Sequence, residues 1–250
     1  HCKRLTGDTV MNIVAIVQAR TGSTRLPGKV LLQLGNKKVL NHVFDRLKMC
    51  KNLTNLVLAT TTNKKDDVLI DWAKENSIPF YRGSEEDVLS RYYGAAKKFK
   101  ADIIVRITSD CPFIDFKVVD KVIKTHIKSK CDYTSNVHPP TYPDGFDTEV
   151  FTFQSIETAN EKAKSKQERE HVTPFIWKKE NKFKTQNVSY DKDYSEIRLT
   201  LDNSDDYEFL KRVVNKIEDQ NFTLNELVDF VKRNQDALLL NQHHKRNENF

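Results

Sequence analysis

The stretch IVAIVQARTGSTRLPGKVL, Ile13 to Leu31, decides the fold. Its opening residues, Ile13–Val17, are an unbroken apolar run, the pattern of a parallel strand buried on both faces. The run passes into a loop that carries Gly22, Pro27 and Gly28, three hydroxyl side chains, and the cations Arg20, Arg25 and Lys29. In open α/β sheets ligands sit beyond the carboxyl ends of the strands, and this loop leaves its strand at that edge. Glycines let backbone N–H groups approach a phosphate, and forked guanidinium groups and an ammonium neutralise it, so an anion is expected here. The alternative is a basic loop that is merely solvated. A Walker phosphate loop does not fit. Five residues separate Gly22 from Gly28 where four are required, and Val30 follows Lys29 where a Ser or Thr would hold the metal.

Working outward, NLVLAT (55–60) and DIIVRIT (102–108) read as two more buried strands. Amphipathic stretches at 39–50, 66–76, 84–99 and 116–129 lie between and after them and read as helices, with Ser84 and Asp87 placed as a capping pair. This alternation predicts a doubly wound α/β domain with a mixed, mainly parallel sheet. Regularity breaks over residues 138–190, which contain Pro139, Pro140, Pro143 and Pro174; an inserted edge segment is expected, and with it a dimer or acceptor region. IRLTLD (197–202) reads as a further strand. Helices follow from Ser204 and from Thr223, each able to cap. Residues 1–10 read as a leader or cloning remnant, 11–234 as the domain, and 235–250 as a polar, frayed tail. His243 and His244 in that tail could bind metal, but a disordered end is the expected account of them.

Composition narrows the function. The 250 residues are 38% hydrophobic and 30% charged with a formal net charge of +6, enough for one large core and compatible with an anionic partner. Lys and Arg are interspersed with Asp and Glu, so a nucleic-acid footprint is not expected. Cys2, Cys50, Cys111 and Cys131 show no zinc or disulfide spacing, and a reducing cytoplasm is expected. No apolar run is long enough to span a membrane.

The segments AIVQARTGSTRLPGKVLLQLGNKKVL, LVLATTTNKKDDVL, YRGSEEDVLSRYYGAAKKFKADIIVRITSDCPFID, PDGFDTEVF, EREHVTPFI and LTLDNSDDYEFL together resemble the cytidylyltransferases that activate acidic sugars. These are the CMP-KDO and CMP-sialic acid synthetases, and the resemblance is nearest to the spore-coat polysaccharide biosynthesis protein F branch. It runs from Met11 to about residue 233. It implies a Rossmann-like, three-layer nucleotide-diphospho-sugar transferase fold, CTP as co-substrate, Mg²⁺ as cofactor, a homodimer, and transfer of CMP to an acidic acceptor such as a nonulosonic or ulosonic acid. Phosphonate activation is a relative of the same chemistry.

The residues then take candidate roles. Ala19, Arg20, Gly22, Ser23, Arg25 and Lys29 would hold the triphosphate. Asp110 and Asp202, each at a strand's carboxyl end, would hold Mg²⁺, as the resemblance implies; each could instead serve only as a turn or cap residue. Where the family commonly has Thr-Pro-Glu-Asp after the second Asp, this chain has Asn203-Ser204-Asp205-Asp206. Thr60, Thr61, Asp87 and Arg91 are candidates for the nucleoside, the last two alternatively an i,i+4 ion pair. Asp147 and Glu149 alternate at strand spacing and could meet acceptor hydroxyls, with Arg169 or His171 meeting its carboxylate. Two rival readings are a glycosyltransferase using Asp191-Lys192-Asp193 as its metal motif and a non-catalytic nucleotide-binding subunit. Cys111 has no neighbouring His in sequence, which argues against a thiol nucleophile.

Overall fold

The computed structural model describes residues 11–217, 221–244 and 246. In chain order these form β1 (Ile13–Gln18), a hairpin of β2 (Gln33–Leu34) and β3 (Lys37–Lys38), α1 (Val39–Leu47), β4 (Asn55–Thr61), α2 (Asp67–Glu75), β5 (Phe80–Gly83), α3 (Val88–Lys98), β6 (Ile103–Thr108) and α4 (Phe116–Ser129). There follow β7 (Tyr133–Ser135), β8 (Glu149–Thr152), α5 (Phe153–Lys162), α6 (Lys166–His171), α7 (Pro174–Trp177), β9 (Thr185–Asn187), α8 (Ser204–Lys216), α9 (Leu224–Arg233) and α10 (Gln235–Leu238). Residues 1–10, read as a leader, lie outside the described residues.

The main sheet runs β5-β4-β1-β6-β8-β7-β9. β5, β4, β1 and β6 are mutually parallel, β8 is antiparallel to both its neighbours, and β9 is parallel to β7. Strand alternation builds the layers. Ile13, Ala15 and Val17 of β1 join residues of α1, α2 and α4 in one core, whereas Val14 and Ile16 join α3, α5 and α7 in the other. The α/β, three-layer, mainly parallel fold is therefore the one the apolar runs predict.

Several expectations change. Residues 138–190 are not a separate insertion: β8 threads between β6 and β7, and α5 packs on the sheet. The residues around Asp87 also differ, since α3 begins at Val88 with Asp87 as its N-cap, its side chain accepting from Ser90 N–H at 2.9 Å. Ser84 instead accepts from the Asp87 N–H at 3.0 Å. Likewise α8 is capped by Asn203, whose amide oxygen accepts from Asp205 and Asp206 N–H, rather than by Ser204.

A further change concerns 197–202, which is extended but not a ladder strand. Its only bridge among the described residues joins Arg198 to Asp144. Its backbone is satisfied by loops, with Leu199 N–H donating to Asp144 O at 2.7 Å and Leu201 N–H to Asp110 O at 2.8 Å. The alternation survives. Ile197, Leu199 and Leu201 enter a second cluster with Phe209, Leu210 and Val213 of α8, while Arg198, Thr200 and Asp202 face a cleft. Within the described part of the tail, Asn241 is not frayed: it is fully buried and donates to Asp206 at 2.9 Å.

Because side-chain packing, not a ladder, holds the 197–201 segment, Leu199→Ala should lower unfolding free energy in urea by about 2–5 kcal/mol. Leu239→Ala, at a residue 65% exposed, should change it by less than about 0.5 kcal/mol. Equal effects would contradict this packing.

Candidate active site

A cleft of about 310 Å³ opens at the carboxyl ends of β1 and β6. The loop after β1 contributes Arg25 to its lining and is folded on itself: Thr21 O accepts from both Ser23 and Gly28 N–H at 3.0 Å. Gly28 has φ 68°, the left-handed conformation that lets the chain turn into a short 3-10 segment beginning at Lys29. Asp66 anchors the start of the loop, its Oδ1 accepting from Thr21 N–H at 2.7 Å and Thr21 Oγ1 at 2.6 Å.

This geometry aims Lys29 at the centre. Its Nζ donates to Asp110 Oδ2 at 3.0 Å, Asp202 Oδ1 at 2.9 Å and Leu201 O at 2.7 Å. Asp110 lies just past β6, and its carbonyl holds the segment that ends in Asp202, so the backbone bond itself brings the two carboxylates together. Burial alone would raise the Asp110 carboxyl, but the Lys29 ammonium and hydrogen bonds from Thr108 and Lys29 hold it down at about 2. Burial would likewise lower Lys29, and the two aspartates outweigh it and raise it. Asp110 and Lys29 are thus both charged at neutral pH.

Asp202 carries further cations. Arg25 Nη2 lies 3.2 Å from its Oδ1, and Arg198 Nη2 donates to its Oδ2 at 2.9 Å. Arg198 also binds Asp144 at 3.0 Å and Asp206 at 2.8 and 3.0 Å, a buried network in which losing the arginine would strand carboxylates at a cost of about 3–5 kcal/mol.

At the far end, Arg106, Asp147, Glu149, His138, His171 and Trp177 line the cleft. Glu149 is committed: it pairs with Arg106 and accepts from Tyr133 and Thr173 hydroxyls at 2.6 Å. Burial, opposed by Arg246, pushes the Asp147 carboxyl up to about 7. Burial also lowers His138 and His171, so His171 would meet an acceptor as a neutral imidazole rather than a cation.

Not every candidate reaches the cleft. Arg20 stands half-exposed at the mouth beside Gly22, 3.5 Å from Glu85, which also binds Lys65 at 2.9 Å. A Cβ at Gly22 would meet Lys65 Nζ at 2.7 Å. Ala19 is buried, its N–H donating to Ala59 O. Ser23 Oγ accepts from Leu26 N–H at 3.4 Å. Thr60 and Thr61 are fully buried, and Thr61 donates to Asp66, so neither presents a hydroxyl to a base. Asp87 and Arg91 form no ion pair with each other. Asp87 binds Arg169 through both oxygens, and buried Arg91 donates to Ser84 O at 2.8 Å. Arg169 is spent on Asp87 and Asn160, tying α6 to α3 outside the cleft. Cys111 is buried, which raises its thiol well above the usual value and leaves it no nucleophile. Asp191 and Asp193 are exposed and outside the cleft lining.

Residues missed in the sequence are Asp66, Arg106, Asp144 and Arg198. Arg106 and Arg198 did leave a signal, since each is a lone charge within an otherwise apolar alternation.

The cytidylyltransferase family model matches residues 14–245. The spore coat polysaccharide biosynthesis protein SpsF of Bacillus subtilis strain 168 is 34% identical over 234 residues, 90% of this chain and 96% of that protein. A 3-deoxy-manno-octulosonate cytidylyltransferase of Solibacter usitatus is 36% identical over 114 residues, 44% of this chain and 43% of that one. A solved cytidylyltransferase from Leptospira borgpetersenii superposes with a TM-score of 0.88 at 34% identity, covering 94% of this chain and 99% of its own.

The raised Asp147 carboxyl has a thermodynamic signature. Between the unfolded value of about 4 and the folded value of about 7 the native state binds more protons, so this group's contribution to stability declines as pH rises. The unfolding free energy of wild type minus that of Asp147→Asn, measured in urea, should fall across that window and level off above it. A flat difference would mean an ordinary carboxyl.

Proposed function

The chain belongs to the cytidylyltransferase family and is a nucleotidyltransferase, and from that premise we propose that it transfers CMP from CTP to an acidic acceptor with release of pyrophosphate. The acceptor is a nonulosonic or ulosonic sugar acid, and the product serves surface polysaccharide or glycan biosynthesis. The observation that carries the reading is the convergence of Lys29, Asp110 and Asp202 beneath the loop that leaves β1.

In this reaction an acceptor oxygen forms a bond to the α-phosphorus, the bond to the β-phosphate oxygen breaks, and the acceptor's hydroxyl proton passes to water. Lys29 and Arg25 neutralise phosphate charge, and Arg20, half-exposed and paired with Glu85, exchanges that partner for the outer phosphates. Arg106 and the neutral His138 and His171 orient the acceptor by hydrogen bonds. The donor set also fits magnesium: two carboxylates, hard oxygen ligands, already converge on one cation, and Asp110 and Asp202 would hold the metal. Bound there, the ion supplies charge neutralisation at the reacting phosphoryl oxygens. The homodimer through 138–190 belongs to the same proposal, and light scattering of the purified protein tests it.

The experiment is a pyrophosphate-release screen of four nucleoside triphosphates against sugar acids and phosphonates with Mg²⁺. CTP with a sugar acid should give release. Release only with a phosphonate would move the acceptor class, and none with any pair would overturn the reading. Lys29→Met should lower kcat/KM by about 10²–10³-fold, the scale for one lost transition-state donor. Asp110→Asn should abolish turnover while the far-ultraviolet circular dichroism stays that of wild type.

A further inference from the structure

Outside the cleft, at the first turn of α8, Asp205, His243 and His244 bring one ligand atom each to within 4.8 Å of one another. Asp205 is fixed by its backbone, whose N–H donates to the Asn203 cap at 3.0 Å. The two histidines come from the segment after α10. Their Nε2 atoms lie 3.4 and 3.1 Å from the same Asp205 oxygen, and their rings stand 4.1 Å apart at 41°. Hydrogen bonding accounts for the 3.1 Å approach, but it gives no reason for a second imidazole to turn to the same oxygen.

A tetrahedral ion with ligands at about 2.0–2.2 Å sets neighbouring ligand atoms about 3.3 Å apart, and the two observed approaches bracket that edge. We propose that Asp205, His243 and His244 form a site for a divalent transition metal of the zinc class, distinct from the carboxylate pair in the cleft. Two imidazoles and one carboxylate select zinc, cobalt or nickel over magnesium, which prefers oxygen alone. The positive end of α8 opposes a cation here, and the Asp205 charge offsets it. His243 is 59% exposed and Asp205 46%, so an ion enters from solvent and keeps water at its open position.

The place of the site gives it a consequence. Between α10 and these histidines, buried Asn241 donates to Asp206 Oδ1 at 2.9 Å and Arg198 O at 3.2 Å, inside the network that holds Asp202. Beyond them, Arg246 donates to Tyr142 O at 3.1 Å and pairs with Asp147 in the cleft. Metal at Asp205 therefore clips the C-terminal segment to α8 between two of its contacts with the active-site framework.

The test is calorimetric titration of the metal-stripped full chain with ZnCl₂ in saturating Mg²⁺, with CoCl₂ as a spectroscopic probe. One equivalent of zinc should bind the wild type, raise its Tm, and be replaceable by cobalt with the intense visible bands of a tetrahedral site. His243→Ala combined with His244→Ala, and separately Asp205→Asn, should weaken zinc binding at least tenfold and remove the Tm shift, with metal-free urea unfolding unchanged in midpoint. Absence of zinc binding in the wild type, or equal binding in all three proteins, overturns the proposal. Neither outcome touches the pyrophosphate-release reading, which rests on other residues.

Discussion

One ammonium group organises this molecule. Lys29 donates to two aspartates that lie 81 and 173 residues away in the chain, and no local structure could bring them together. Two carboxylates gathered on a single ammonium repel each other, so the pair persists only with a cation between them. The fold supplies the three ends that meet there. β1 delivers the loop, β6 delivers Asp110, and the second apolar cluster presses the 197–201 segment against the Asp110 carbonyl. The sheet's carboxyl edge is thus a point of electrostatic tension balanced by Lys29, and a polyphosphate arriving with its own cation can replace that balance.

The same accounting limits what the net charge can do. The chain's net charge of +6 is not concentrated in the cleft, where Arg25, Arg106 and Arg198 face Asp110, Asp144, Asp147, Glu149 and Asp202. In the proposed reaction an acidic acceptor would therefore be recognised by particular donors and not by a broad field. The raised Asp147 carboxyl fits this crowding: burial dominates, Arg246 opposes it, and neighbouring Asp144 and Glu149 add to the rise.

Much of this was legible in the sequence because apolar periodicity reports burial directly. The runs at 13–17, 55–60 and 102–108 are strands, and the loop after the first does carry Lys29 to the site. Asp110 and Asp202 could be singled out because each ends an apolar alternation. The ladder at 197–202 was not legible as absent, since alternation records which faces are buried and is silent on whether a neighbouring strand or a loop satisfies the backbone. Thr60, Thr61, Asp87, Arg91 and Arg169 were misplaced for a related reason. Their chemistry suited a ligand, but burial hides Thr60, and protein partners engage the others: Asp66 takes Thr61, Ser84 takes Arg91, and Asp87 and Arg169, 82 residues apart, take each other. Arg198 was missed because its three carboxylate partners are visible only once the loops are packed.

The central claim is tested most directly by a crystal structure of the protein soaked with CTP and Mn²⁺, with the metal located by its anomalous scattering. The expected result is a manganese peak bound by both Asp110 and Asp202, with the Lys29 ammonium moved onto the phosphate chain. A peak held by other residues while Lys29 still bridges the two aspartates would contradict the account.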